Sequence, residues 1–172
     1  LTGPEGNGVE IYRDGPESTW PTTDDGTVRM GMERLDLGAV EAAGGGADRA
    51  PPGTDVGHVH LEVTSLAAFD RFYADLLGFE TRATVPGARF VAAGGYHHHL
   101  GANTWNRRIA SARGKGISWF EVVVPGGAAV DAVRSRAVDR GVSVEALDGG
   151  IELSDPDGIA VRVRAGASPT GA

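Results

Sequence analysis

The chain has 172 residues, is 41% hydrophobic and carries a net charge of -7. That is room for one ordinary domain with a real core plus a linker or tail. The acidic balance argues against a general nucleic-acid surface, because phosphate binding needs a basic field. There is no cysteine, which excludes disulfides, thiolate metal sites and a cysteine nucleophile. No apolar run approaches the roughly 20 residues needed to span a bilayer and no signal peptide is visible, so a cytoplasmic protein without a membrane partner is expected.

The first residue is Leu1, not Met, and the chain opens directly on a turn and a strand. We read this as a fragment or a processed form. Gly6, Asn7 and Gly8 punctuate the opening, and alternation begins at Val9. Residues 14–26 are polar and rich in Pro, Thr and Asp, a loop. A short strand over 27–32 and a short helix over 35–43 are expected next. Residues 44–54 read as a linker.

From Val56 the pattern sharpens. VGHVHLEV alternates as a strand. Ser65 caps a helix whose apolar positions are Leu66, Phe69, Phe72, Tyr73 and Leu76, and Gly78 stops it. Strands follow near 79–84, 88–93 and 96–102. ISWFEVVV then starts a second unit: a helix over 127–140 stopped by Gly141, with strands near 142–146, 150–154 and 159–164. Two consecutive β-α-β-β-β units make one α+β module, each sheet covered by helix on one face and open on the other.

LTGPEGNGVEI at 1–11 resembles LSDPDGIAVRV at 153–163, an offset of 152 residues. A commonplace turn-strand motif recurring by chance is one explanation. The other is that the chain begins at the last strand of a preceding, equivalent module. On that reading 1–13 is the end of a first module, 14–54 the link, 55–165 a complete C-terminal module and 166–172 a disordered tail.

All five histidines fall in two places, His58 with His60 and the run His97, His98, His99. Side chains alternate across a strand. His58, His60 and Glu62 therefore share a face opposite Val59, Leu61 and Val63, and look into the concavity. Carrying strand alternation back from Leu100 and Ala102 puts His98 on the core face and His97 and His99 in the cavity. Glu10 and Tyr12 face away from Val9 and Ile11. Each of these polar faces reads either as a solvated strand or as a site. Two imidazoles and a carboxylate suit non-haem Fe(II), since they neutralise part of the charge and leave positions open.

GHVHLEV, FY-x-x-x-LGF at 72–79, GARFVAAGGYHHHLGANTW and GPEGNGVEIYRDGPESTW together resemble the two-module catechol 2,3-dioxygenase family of the vicinal-oxygen-chelate superfamily. The resemblance runs over nearly the whole chain. It implies extradiol cleavage of an aromatic diol by O2 at Fe(II), or Mn(II), with His58 and Glu10 as metal ligands contributed by two different modules. For that chemistry, strand parity nominates His99 as the proton-transfer residue and His60, His97, Asn103 and Trp105 as lining of the substrate pocket. Arg162 stands at the repeat position of Glu10, so the C-terminal module has no carboxylate of its own there. Two alternatives stay open: a glyoxalase-like isomerase or lyase, and a non-catalytic module that binds an aromatic or an antibiotic. A homo-oligomer is expected if sheet surface is left exposed.

Overall fold

The computed structural model describes residues 1–24, 28–29, 31, 34–46, 48–110 and 116–166. Eight strands form two four-stranded sheets with the same topology. In the first, β1 (Val59–Glu62), β4 (Leu100–Asn103), β3 (Ala88–Ala92) and β2 (Glu80–Val85) lie in that order. In the second, β5 (Trp119–Val124), β8 (Ala160–Ala165), β7 (Gly150–Ser154) and β6 (Glu145–Leu147) follow the same order. The first and last strands of each unit are parallel, β1 with β4 and β5 with β8; the other pairs are antiparallel. The expected pair of β-α-β-β-β units is thus present, and the chain is α+β. A short helix, α1 (Leu37–Ala43), precedes them, its first turn capped by the Asp36 carboxylate accepting from the Ala39 N–H at 3.0 Å.

The helix of the first unit shows how the sequence specifies its own ends. Ser65 Oγ accepts from the Ala68 N–H at the start of α2 (Leu66–Phe69). The helix runs on as a π-helix over Asp70–Leu76, with Leu77 N–H donating five residues back to the Phe72 carbonyl. Phe69, Phe72, Tyr73 and Leu76, the positions the periodicity marks, are all buried. At Gly78 the backbone turns left-handed, φ +93°, and the Phe79 N–H reaches back to the Tyr73 carbonyl at 3.1 Å. In the second unit α3 (Gly127–Asp139) ends in the same manner: Gly141 takes φ +68°, and the Val142 N–H donates to the Ala137 carbonyl at 2.9 Å. Arg136 of α3 then donates to the carbonyls of Leu76 and Leu77, tying one helix to the exposed end of the other.

Both units contribute to one core. Leu61, Val63, Val91 and Leu100 of the first sheet share it with Ile151, Leu153, Val161 and Val163 of the second. Within it the Tyr73 hydroxyl donates to the buried Asp155 carboxylate at 2.8 Å. Asp155 also accepts from the N–H groups of Asp157 and Ile159. Burial pushes this carboxyl up, and those donors pull it part of the way back.

The turn that Asp155 organises has a counterpart at the start of the chain. Asp155 N–H donates to the Ile159 carbonyl and Gly158 N–H to the Asp155 carbonyl; Gly3 N–H donates to Asn7 and Gly6 N–H to Gly3. Gly158 and Gly6 have nearly the same left-handed φ, +87° and +85°. The strand expected after the first of these turns is not formed. Only the isolated bridge Thr2–Gly8 is made there, and residues 9–13 run as irregular chain. A strand needs a paired edge, and among the described residues none is offered to 9–13. Half of the expected strand at 27–32 falls outside the described residues, as does nearly all of the 166–172 tail; Val28 makes an isolated bridge to Thr22.

Replacing Tyr73 with Phe removes a partner from a buried carboxylate without changing the ring packing. We expect a loss of about 1–3 kcal/mol, read from urea unfolding at neutral pH; an unchanged midpoint would contradict the assignment of this bond as a core contact.

Candidate metal centre

Parallel pairing of β1 with β4 sets His60 opposite Gly101, and antiparallel pairing sets Gly101 opposite Phe90 on β3. One row across the sheet therefore reads His60, Gly101, Phe90. A Cβ on Gly101 would lie 2.7 Å from the His60 ring, so glycine gives that imidazole its place. His58 precedes His60 by two residues and their ring centroids are 5.1 Å apart. His98 stands just before β4, with its ring 4.5 Å from that of His58 and 5.4 Å from that of His60.

His98 is the main departure from the sequence reading. The expected strand at 96–102 begins only at Leu100, and residues 96–99 are bent chain. Alternation does not extend back through a bend, so His98 does not enter the apolar core with Leu100 and Ala102. It is buried, but against His58, His60 and His97. His99, placed in the cavity by the same parity, instead accepts from the Ala93 N–H through Nδ1 at 3.2 Å, with its ring near Phe79 and Tyr96.

His58, His60 and His98 form a group whose candidate ligand atoms all lie within 4.8 Å of one another. Nε2 of His60 and Nε2 of His98 are 3.3 Å apart. Two nitrogens bound to one ion at about 2.0–2.1 Å take a separation of about 3–3.4 Å. The three residues thus fit a divalent first-row metal in donor type and spacing. Glu10 adds a carboxylate: its Oε2 lies 2.9 Å from Nε2 of His58. The Glu10 side chain is 70% exposed, so the carboxylate stands on the open side of the group.

The segment carrying Glu10 crosses the face of the first sheet. The Tyr12 ring stacks on His58 at 5.1 Å, and its hydroxyl meets His58 Nδ1 at 3.0 Å. A side chain at Gly57 would collide with that hydroxyl. Asp14 accepts from the Tyr96 hydroxyl at 2.6 Å and faces His97 Nε2 at 3.3 Å. Trp20 packs edge-on against Tyr96 and His97. His97 therefore lies beside the site. Asn103 lies two residues further along β4 than Gly101 and accepts from the Trp105 N–H, and Trp105 packs against the tight turn at Gly87. Glu62 is ion-paired to Arg108 at 2.7 Å.

The open face of the second sheet has different chemistry. Arg162 donates to Glu152 at 2.7 Å and lies 4.0 Å over the Trp119 ring, and Arg164 pairs with Glu121. No histidine stands there.

A family model described as the glyoxalase/bleomycin resistance protein/dioxygenase superfamily matches residues 55–163. The chain belongs to that superfamily. Within it, the chain is 37% identical over 163 residues to a catechol-2,3-dioxygenase of Bacillus subtilis strain 168, covering 91% of this chain and 57% of that protein. It thus spans little more than half the length of that relative. Solved structures of the superfamily share the fold at lower identity. A lactoylglutathione lyase from Agrobacterium tumefaciens matches at TM-score 0.53 and 21% identity, over 67% of this chain and 96% of that one. A glyoxalase/dioxygenase from Nostoc punctiforme matches at TM-score 0.54 and 14% identity, over 71% and 99%.

The residues that sequence reasoning missed are His98 as a member of the group and Asp14, Tyr96 and Trp20 as its surroundings. The GGYHHH run signalled a cluster, but a bend has no periodicity from which to assign directions.

Burial, reinforced by the other four histidines, pushes His98 down to about 3, and burial lowers His60 as well. Neutral imidazole is the ligating form. The unfolded chain takes up a proton at His98 near pH ~6.5 that the folded chain refuses until far lower pH. Stability of the metal-free protein should therefore be full above about pH 6.5 and fall as pH drops toward 3. Urea midpoints at pH 7 and pH 5 should differ less in His98→Gln than in the parent; equal differences would contradict the shift.

Proposed function

We propose that the protein cleaves a catechol-type aromatic diol with O2, outside the two hydroxyls, as a non-haem Fe(II) or Mn(II) enzyme of the cytoplasm. The observation that carries this reading is the approach of Glu10 to His58 beside two further imidazoles, in a chain with 37% identity to a protein named catechol-2,3-dioxygenase. We further read residues 1–13 as the end of a first module, 14–54 as the link and 55–165 as the C-terminal module.

Glu10 and His58 are the proposed ligands from the two modules, and His60 and His98 complete the donor set. A bound Fe(II) supplies the one-electron chemistry by which O2 reacts with a diol. The chain supplies the rest. Three neutral imidazoles and one carboxylate leave a net positive charge at a divalent site, which favours a diol bound as its anion. Glu10 stands on the exposed side, so a ligand reaches the group there. Tyr12, Trp20 and Phe90 present flat rings around it, a lining suited to a flat ring. Asn103 on β4 and Trp105 in the turn after it are the proposed contacts for ring substituents. His97 is a proposed wall of the diol position, and His60, expected there from the sequence, is read as a ligand.

The test is O2 uptake by the Fe(II)-loaded protein with catechol, followed on an oxygen electrode with product analysis. We expect one O2 consumed per ring opened, and at least a tenfold loss in His98→Ala with metal content measured alongside. Binding of catechol without O2 uptake, or metal-dependent turnover of a thiol adduct of an aldehyde, would overturn the reading in favour of a binding module or a glyoxalase-like enzyme.

A further inference from the structure

We infer that Asp14 is the positioning residue of the histidine group: one carboxylate oxygen fixes the direction of a hydrogen-bond chain that ends on His98 with Nε2 committed to the site, and the other holds Tyr96 and Tyr12 against His58. The inference rests on the proposed metal-binding reading. It extends it to a residue that touches none of the proposed ligands.

The first chain starts at Oδ1. A carboxylate accepts, so the contact of 3.3 Å with His97 requires the proton on His97 Nε2. Neutral His97 then has a lone pair on Nδ1, which lies 2.8 Å from Nδ1 of His98. That contact needs one proton, and His97 has none left to give. His98 must donate, so its proton sits on Nδ1 and its Nε2 carries the lone pair. This Nε2 is the atom 3.3 Å from His60 Nε2.

The second chain starts at Oδ2. Tyr96 donates to it at 2.6 Å. The Tyr96 oxygen lies 3.3 Å from the Tyr12 hydroxyl, and that hydroxyl lies 3.0 Å from His58 Nδ1. Nε2 of His58 faces the Glu10 carboxylate at 2.9 Å, an acceptor that takes an N–H from that nitrogen in the metal-free chain, so this second set of contacts places the His58 ring without choosing its tautomer. In the first chain every polar contact is satisfied when each proton points toward Asp14.

The arrangement is an outer-shell carboxylate acting through His97 on the tautomer of His98, and through Tyr96 and Tyr12 on the placement of His58. Such partners fix tautomer and ring orientation and raise ligand basicity. The packing supports the geometry: the His97 side chain is 16% exposed, and its ring packs in a cluster with those of Trp20 and Tyr96. His98 is buried, so its tautomer is set by protein groups and not by bulk water.

The experiment uses 15N-histidine-labelled protein, parent and Asp14→Asn, with two readouts. The first is ring-nitrogen NMR of the metal-free protein at pH 8. We expect His98 as the Nδ1–H tautomer and His97 as the Nε2–H tautomer in the parent. In Asp14→Asn the His98 signal should shift toward a tautomer mixture. The second is Mn(II) affinity by calorimetry, expected to weaken about 10–100-fold in Asp14→Asn, with thermal unfolding of both proteins as the check on folding. Parent His98 in the Nε2–H form, or tautomers and affinity unchanged in Asp14→Asn, would overturn the inference. A parent that shows the expected tautomers but takes up no Mn(II) would leave the chains intact and sink the metal-binding reading instead.

Discussion

The site depends on one backbone constraint, the parallel pairing of the first and last strands of the first unit. Val59 N–H donates to the His99 carbonyl, and His99 N–H donates to the Val91 carbonyl. Those two bonds fix where β4 begins relative to β1 and β3. They bring a bend carrying His98 beside a strand carrying His58 and His60. A shift of β1 by one residue would turn Leu61 outward and both histidines into the core. The apolar face of β1 thus enforces the polar one. Gly101 makes the register usable, because any larger residue there would occupy the volume of the His60 ring.

The two units share a topology and differ in what their open faces carry. In the first, five imidazoles gather beside two carboxylates, Glu10 at His58 and Asp14 at His97. In the second, Arg162 and Arg164 are matched to Glu152 and Glu121, and Trp119 is capped by a guanidinium. Paired charges of that kind leave no free donor set for a cation. The repeated turns at Gly3–Asn7 and Asp155–Ile159 make the contrast sharper. After these like turns the chain differs: Glu10 sits on irregular chain beside an imidazole, and Arg162 sits on β8 beside a carboxylate.

Most of the fold was legible in the sequence, because both of its signals are local. Ser65, Gly78 and Gly141 mark helix ends through capping and left-handed geometry, and the apolar positions of α2 follow helical spacing. The strands of the second unit lie within a few residues of where alternation puts them. The juxtaposition of Glu10 with His58 was also readable, through the internal repeat and the family resemblance. What was not readable were directions outside regular structure. His97–His99 lie in a bend, so alternation put His98 with the apolar core and not with the other imidazoles. The arm carrying Tyr12 and Asp14 is held by side-chain contacts to residues 40 to 85 positions away, and no periodic pattern encodes those. The π-helical stretch of the first helix also leaves no mark in the spacing of its apolar residues.

The claim that matters most is that the open face of the first sheet gathers one divalent ion. Anomalous diffraction from crystals of the Mn(II)-loaded protein tests it directly. The account predicts one strong peak bounded by nitrogens of His58, His60 and His98 and an oxygen of Glu10. A peak on the Glu121 and Glu152 face of the second sheet, or none near the three imidazoles at saturating Mn(II), would contradict it.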